Sequence, residues 1–220
     1  MDSRCPPLYQ HGIMTPELLI PAFVTLFVVI DPIGLTPLFV ALTKGARQPE
    51  RRAIALRAVA IAALLLTLFG LFGEQVLAFL GISMPAFRIA GGLLLFLTAL
   101  DMLFERRAQR RRDQSEPGLD PAEDPSVFPL ATPLIGGPGA MAAMILLAGQ
   151  TTTPLELLAI HLVMLAVLVV VFVLFLASGL LERVLKETGI NVLTRLLGML
   201  LAALAVQFVL DGLADFGFLG

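Results

Sequence analysis

Apolar residues along the chain fall into six long blocks rather than into amphipathic stripes. The blocks are Leu18–Thr43, Ala58–Leu80, Pro85–Phe104, Val127–Ala148, Leu155–Leu181 and Val192–Leu213. Each reaches the roughly 20 residues of helix that cross a hydrocarbon core. Short polar punctuation separates them, such as Gly81-Ile82-Ser83 and Gln150-Thr151-Thr152-Thr153-Pro154. The ten-residue alternating segments that build a membrane β-barrel do not occur. The pattern predicts an all-α polytopic membrane protein with six transmembrane helices.

Two of the blocks carry residues that do not belong in a lipid-facing helix. The first contains Val29-Ile30-Asp31-Pro32-Ile33-Gly34-Leu35-Thr36-Pro37-Leu38, with a carboxylate, a glycine and two prolines. The fourth contains Thr132-Pro133-Leu134-Ile135-Gly136-Gly137-Pro138-Gly139, again with two prolines that have four residues between them. Proline lacks an N–H and disfavours helical geometry in the residue before it. A helix that breaks at membrane depth must face protein or water. Two interrupted segments at matched places in two halves are the sequence signature of a transporter with internal repeats.

Composition agrees with this class. The 220 residues are 58 % hydrophobic and 15 % charged, with a mean hydropathy of +0.92. Soluble domains are about 45–50 % apolar and about 25 % charged. The single cysteine, Cys5, excludes a disulfide framework and a cysteine metal site. The first seventeen residues hold Arg4 as their one Lys or Arg, and no small-residue cleavage site follows the first block. That block therefore reads as a retained helix rather than a signal peptide.

Charge placement orients the spans. Lys44, Arg47, Arg51, Arg52 and Arg57 lie in the first connection. Arg106, Arg107, Arg110, Arg111 and Arg112 lie in the third, and Arg183 and Lys186 in the fifth. The even-numbered connections hold no Lys or Arg. By the positive-inside rule the odd connections are cytoplasmic and both termini lie outside. The third connection runs from basic to acidic and contains Pro117, Gly118, Pro121 and Pro125. It reads as a flexible linker, 105–126, between an N-terminal repeat, 1–104, and a C-terminal repeat, 127–220. The stretch beginning Pro49-Glu50 looks like a helix start that extends the second span into the cytoplasm.

The halves match in order. Pro32 and Pro37 correspond to Pro133 and Pro138, and Arg88-Ile89-Ala90-Gly91 to Arg195-Leu196-Leu197-Gly198. Three spans per half is an odd number, so the second half enters the membrane inverted. The two arginines also admit a plainer reading, as side chains that snorkel to an interface.

The breaks define the candidate chemistry. The outer half of the first helix is expected to stop near Ile30. The inner half is expected to restart with Thr36 as N-cap and Pro37 at the first helical position. At the second break Gly137 and Pro138 repeat that arrangement. By helical rise Asp31 lies about 20 Å from the outer edge and Pro138 about 16 Å from the inner edge, both near the middle of a roughly 30 Å core. Helix N-termini attract anions; helix C-termini and a carboxylate attract cations. With walls of Gly34, Gly136, Gly137, Gly139 and Ala140, the site suits a small zwitterion, for which a small neutral amino acid is the simplest example.

Asp31 is the leading functional candidate, because a carboxylate at membrane depth costs on the order of 3 kcal/mol. It could bind a proton, a sodium ion or a substrate ammonium. Its structural alternative is a carboxyl cap that holds the broken backbone together. His161, six residues inside the fifth span, is either a proton relay or a core histidine bonded to a neighbouring helix. Asp101, Thr98, Gln207 and Asp211 lie toward helix ends, where interfacial solvation accounts for most of them. Gly91 and Gly92 permit close helix packing. Gly136-Gly137-Pro138-Gly139 lacks the Lys-Ser/Thr of a phosphate loop. No Ser-His-Asp, Cys-His or metal-ligand spacing emerges, so neither an enzyme nor a metal or cofactor site is read, and nothing marks a nucleic-acid partner.

Asp31-Pro32-Ile33-Gly34-Leu35-Thr36-Pro37-Leu38-Phe39, Arg88-Ile89-Ala90-Gly91-Gly92 and Phe128-Pro129-Leu130-Ala131-Thr132-Pro133, followed by Gly137-Pro138-Gly139-Ala140, resemble the signature of the MarC family of integral membrane proteins. The resemblance runs from about Leu18 to Leu213. It implies six spans, a distant relation to LysE-type exporters, and the transport of small neutral amino acids such as alanine and glycine that is described for some members. Leu35 stands where the family often has a polar residue, and Met141, Ala142 and Ala143 where it often has threonines. The expected function is a secondary transporter for small neutral amino acids in the cell (inner) membrane. The expected coupling ion is a proton or sodium. The substrate-binding candidates are Asp31, Gly34, Thr36, Pro37, Thr132, Gly136, Gly137 and Gly139. Asp31 and His161 are the ion-coupling candidates, and a homo-oligomer is compatible. The competing readings are a channel, a membrane-embedded enzyme using Asp31 and His161, a scaffold without transport, and an exporter of another small solute.

Overall fold

The computed structural model describes residues 16–104, 106 and 125–217. The N-terminal stretch with Cys5 and nearly all of the expected 105–126 linker lie outside the described residues. Among the described residues the chain is helical, with no strand. The helices are α1 (Pro16–Ile30), α2 (Pro32–Leu42), α3 (Gln48–Phe79) and α4 (Met84–Leu103), then, after the proline-rich segment Ser126–Ile135, α5 (Pro138–Ala148), α6 (Pro154–Leu176) and α7 (Ser178–Asp215). Five helices are long and apolar enough to cross a membrane, counting Leu19–Leu42 as one span through α1 and α2. The count is six if Ser126–Ile135 and α5, which meet at 55°, form one more.

Helix starts follow a single chemical habit. A proline stands in the first turn of α2, α3, α4, α5 and α6, where its missing N–H is no loss and its fixed φ suits the helix. Side chains take up the exposed amides beside them. Ser83 accepts from Ala86 N at the head of α4. Thr153 and Glu156 exchange bonds at the head of α6, and Glu50 accepts from Arg47 N at the head of α3. In lipid every backbone group needs such an internal partner.

Two boundaries differ from expectation. The fifth span ends at Leu176, and α7 begins after the single residue Ala177. The stretch around Arg183 and Lys186, expected as a connection, is wound into α7. Its run Leu180 to Glu187 is rich in good helix formers, and no proline stops it. The basic stretch from Gln48 is helical, as expected, and makes α3 32 residues long.

The core lies where α1, α2, α5 and α6 meet, with α3, α4 and α7 around them. Leu26, Ile30, Leu35, Phe39, Leu66, Leu95, Met144 and Leu146 are fully buried there. The opposite faces of α3, α6 and α7 expose Leu64, Phe72, Leu162, Val169 and Leu200, an apolar surface suited to lipid tails. Between helices in lipid, small residues at the contact replace hydrophobic drive as the source of close packing. A Cβ on Gly92 would meet Ala205 O and Val209, one on Gly198 would meet Ala99 O and Met102, and one on Gly212 would meet Pro85 O and Ile89. As residue numbers rise along α4 they fall along α7, so this pair is antiparallel.

Candidate functional site

The first break is a single residue wide. Pro32 disfavours right-handed helical geometry at Asp31, and Asp31 takes φ 57° and ψ 64° instead. Aspartate is one of the few side chains that enter this left-handed region readily. Its backbone still joins both helices: Asp31 N donates to Phe27 O at 2.9 Å, and Leu35 N donates to Asp31 O at 3.1 Å. Its carboxylate folds over the start of α2, where Oδ1 accepts from Gly34 N at 3.1 Å. That bond fills one open amide of the helix start and sets the negative charge at the favourable end of the helix dipole. Asp31 is 1 % exposed.

The expected restart at Thr36 is corrected. The N-cap is Asp31, Pro32 is the first residue of α2, and Pro37 lies inside the helix. Thr36 is buried within the helix, and its Oγ1 donates to Pro32 O at 3.0 Å. The physical reason is that Asp31 can turn the chain and cap it in one step, so no longer gap is needed.

The second break is wider. In Ser126–Ile135 the bonds Leu130 N to Pro125 O and Gly136 N to Ala131 O span five residues. Phe128 and Thr132 are extended, each ahead of a cis proline, Pro129 and Pro133. Gly137 is the N-cap of α5, without a side-chain bond, and Pro138 is its first residue, as expected. A Cβ on Gly137 would come within 2.4 Å of Pro133 O, so the turn admits glycine alone.

The two breaks adjoin through Gly139. A Cβ there would lie 3.4 Å from Val29 Cγ1, two residues before Asp31, and 3.7 Å from Leu95 and from Thr98 Oγ1. Val29 at the end of α1 thus packs against the start of α5. Gly136 turns away, toward Leu65 and Ala62 of α3, and Thr132 is half-buried ahead of it. His161 lies with Gly70 of α3 and Met144 of α5, about 9 Å farther along α5 than Pro138 by helical rise. Its Nδ1 is 2.8 Å from Leu157 O, and its buried Nε2 has no hydrogen-bond partner among the described residues.

Thr98 is the site residue that sequence reading set aside as interfacial. Gly91 faces Leu146 of α5, while Leu95 and Thr98 face Gly139. The i, i+4, i+7 spacing from Gly91 marks that stripe in the sequence. Arg88, near the start of α4, pairs through Nη1 with Asp215 at the end of α7.

The family described as MarC family integral membrane protein matches residues 17–216. A UPF0056 membrane protein of Methanocaldococcus jannaschii is 36 % identical over 202 residues, which are 91 % of this chain and 98 % of that one. The UPF0056 inner membrane protein YhgN of Escherichia coli K12 is 37 % identical over 197 residues, 89 % and 95 % of the two chains. A UPF0056 membrane protein of Archaeoglobus fulgidus is 38 % identical over 197 residues, 88 % and 91 %. No solved structure matches the chain. With the match spanning nearly all of its length, the chain belongs to the MarC family of integral membrane proteins.

Proposed function

We propose that the protein is a secondary transporter for small neutral amino acids of alanine or glycine size, coupled to protons or sodium. The observation that carries this reading is the contact of the two proline breaks, with Gly139 against Val29 and the Asp31 carboxylate two residues on. In this reading the Asp31 carboxylate attracts an ammonium or a cation, and the N-terminus of α5, which has no side-chain cap, attracts a carboxylate. The Cβ spaces of Gly34 and Gly137 are filled by the Asp31 carboxylate and by Pro133 O, so a backbone-sized solute enters only when these elements part. Asp31 and His161 are the coupling groups in this reading. Thr36 and Pro37 serve by shaping α2, and Thr132 and Gly136 by shaping the segment before α5.

The antiparallel packing of α4 on α7 supports two inverted three-helix repeats, 1–104 and 127–220, joined by 105–126. The basic residues of 44–57 and 106–112 favour a cytoplasmic location for those connections and an outward location for both termini. A scaffold without transport is the second reading. It is favoured by the bonds of Asp31 to Gly34 and of Thr36 to Pro32, which occupy both groups within α2.

Uptake of labelled alanine, glycine and threonine into proteoliposomes tests the assignment, with and without a pH or sodium gradient, for the wild type and Asp31→Asn. Saturable, gradient-driven uptake that is lost in Asp31→Asn is the expected result. Exchange that survives in the variant without gradient drive makes Asp31 the coupling site alone. Absence of uptake for all three solutes removes the amino-acid assignment.

A further inference from the structure

Asp31 and Thr36 are buried, so a solute reaches the first break only when a neighbouring element moves. We propose that α2 is a lid, hinged at Asp31 and latched at its far end through Phe39, which opens toward the end of the bundle that carries Lys44 to Arg57. The proposal rests on the transport reading above.

The hinge is the left-handed residue Asp31, the one residue between α1 and α2. Pro32 and Pro37 both lack an N–H, so the hydrogen-bond ladder that would stiffen this joint is interrupted on either side of Gly34. The latch lies two turns along. The Phe39 ring stacks on Phe175, at the end of α6, with centroids 4.3 Å apart and planes 4° apart. The Arg51 guanidinium of α3 lies 5.5 Å from the Phe39 centroid. Its Nη2 donates to Ser178 Oγ, the first residue of α7, at 3.0 Å. Phe175 of α6 and Arg51 of α3 therefore meet on one ring of α2, and Ser178 of α7 anchors Arg51.

The chemistry suits a reversible closure. Both rings are buried, so the stack excludes water while shut. Arg51 is half-buried beside the exposed Lys44 and Arg52, so its guanidinium can exchange Ser178 and the ring for water when the latch parts. The matching helix of the second half, α5, has no aromatic residue to form such a latch. Its end is fitted into glycines, with Met144 on Gly70, Ile145 on Gly73 and Leu146 on Gly91. That interlocked packing holds α5 in place, whereas the far end of α2 depends on the contacts of Phe39.

The test uses the full chain with Cys5→Ser and a reporter cysteine, Leu35→Cys, which is fully buried. A membrane-impermeant thiol reagent is applied to vesicles of each orientation. Arg51→Gln is expected to speed labelling at least tenfold from the Lys44 to Arg57 side alone, and Phe175→Ala to do the same. Unchanged labelling in both variants, or a rise from both sides alike, overturns the lid. A second arm ties α2 to α6 by cross-linking Phe39→Cys to Phe175→Cys, the stacked pair of the latch, in the Cys5→Ser background with a reducible bis-methanethiosulfonate. Flux of the transported solute is expected to fall at least tenfold and to return on reduction; flux unaffected by the cross-link overturns the proposal. If the wild type carries no solute, the transport reading fails, while the labelling arm still reports on the lid.

Discussion

The carboxylate of Asp31 occupies the space that a side chain on residue 34 would need. Oδ1 accepts from Gly34 N at 3.1 Å, and a Cβ on Gly34 would fall 2.2 Å from Oδ2. The glycine and the aspartate are therefore one device, a left-handed turn that caps the helix it starts. Gly34→Ala forces the carboxylate to rotate away. The lost cap costs about 1 kcal/mol, and the better helix propensity of alanine offsets about the same amount. The melting temperature in detergent is expected to move little, while uptake in proteoliposomes falls at least tenfold. A variant that keeps wild-type uptake would show that the position of the carboxylate does not matter.

Asp31→Asn and Asp31→Ala separate the turn from the charge. Asparagine tolerates the left-handed conformation and can still accept from Gly34 N; alanine does neither. The left-handed turn costs alanine about 1 kcal/mol and the lost cap about 1 kcal/mol more. Asp31→Ala is expected to melt below Asp31→Asn by an amount equal to about 2 kcal/mol. Equal melting temperatures would remove the capping role.

Close packing of α4 on α7 depends on glycine. A Cβ on Gly92 would lie 2.8 Å from Ala205 O and 3.1 Å from Val209 N, and backbone atoms cannot rotate away. Gly92→Ala is expected to destabilise by about 2 kcal/mol, which lowers the melting temperature by about 4–8 °C. Gly179→Ala is the control, since nothing lies within 4 Å of its Cβ position. It is expected to leave the melting temperature unchanged or raise it. A drop in the control as large as that of Gly92→Ala would refute the packing explanation.

His161 carries a buried Nε2 with no hydrogen-bond partner among the described residues, a burden of about 1–3 kcal/mol. His161→Met removes that atom and keeps an apolar side chain against Gly70 and Met144. Thermal stability is expected to hold or rise, while proton-driven uptake falls and solute exchange persists. Unaltered gradient drive would leave His161 as a packing residue.

The class of the protein was legible from its apolar blocks, because bilayer thickness sets the length of a spanning helix and no soluble fold needs six such runs. Breaks at Asp31 and at Gly137 were legible too, since proline and glycine act on the backbone locally. Local rules did not reveal how many residues the first break spans. Thr36-Pro37 and Asp31-Pro32 are both acceptable helix starts by residue type, and the structure uses Asp31-Pro32 because Asp31 can take a positive φ and bond Gly34 N. Thr98 was missed for a related reason. Distance from a helix end says little about which face a side chain presents; the stripe from Gly91 through Leu95 to Thr98 does.

By itself the sequence determined that the chain is helical, that it is built for a membrane, and which two apolar blocks break. These follow from hydrophobicity, proline and glycine acting over a few residues. The tertiary structure alone decided that Gly139 lies against Val29, that Arg51 reaches Phe39 and Ser178, and that Arg88 pairs with Asp215. Those contacts join residues up to 127 positions apart. They are set by how whole helices pack, through the summed shape of many side chains, and no local pattern encodes that sum.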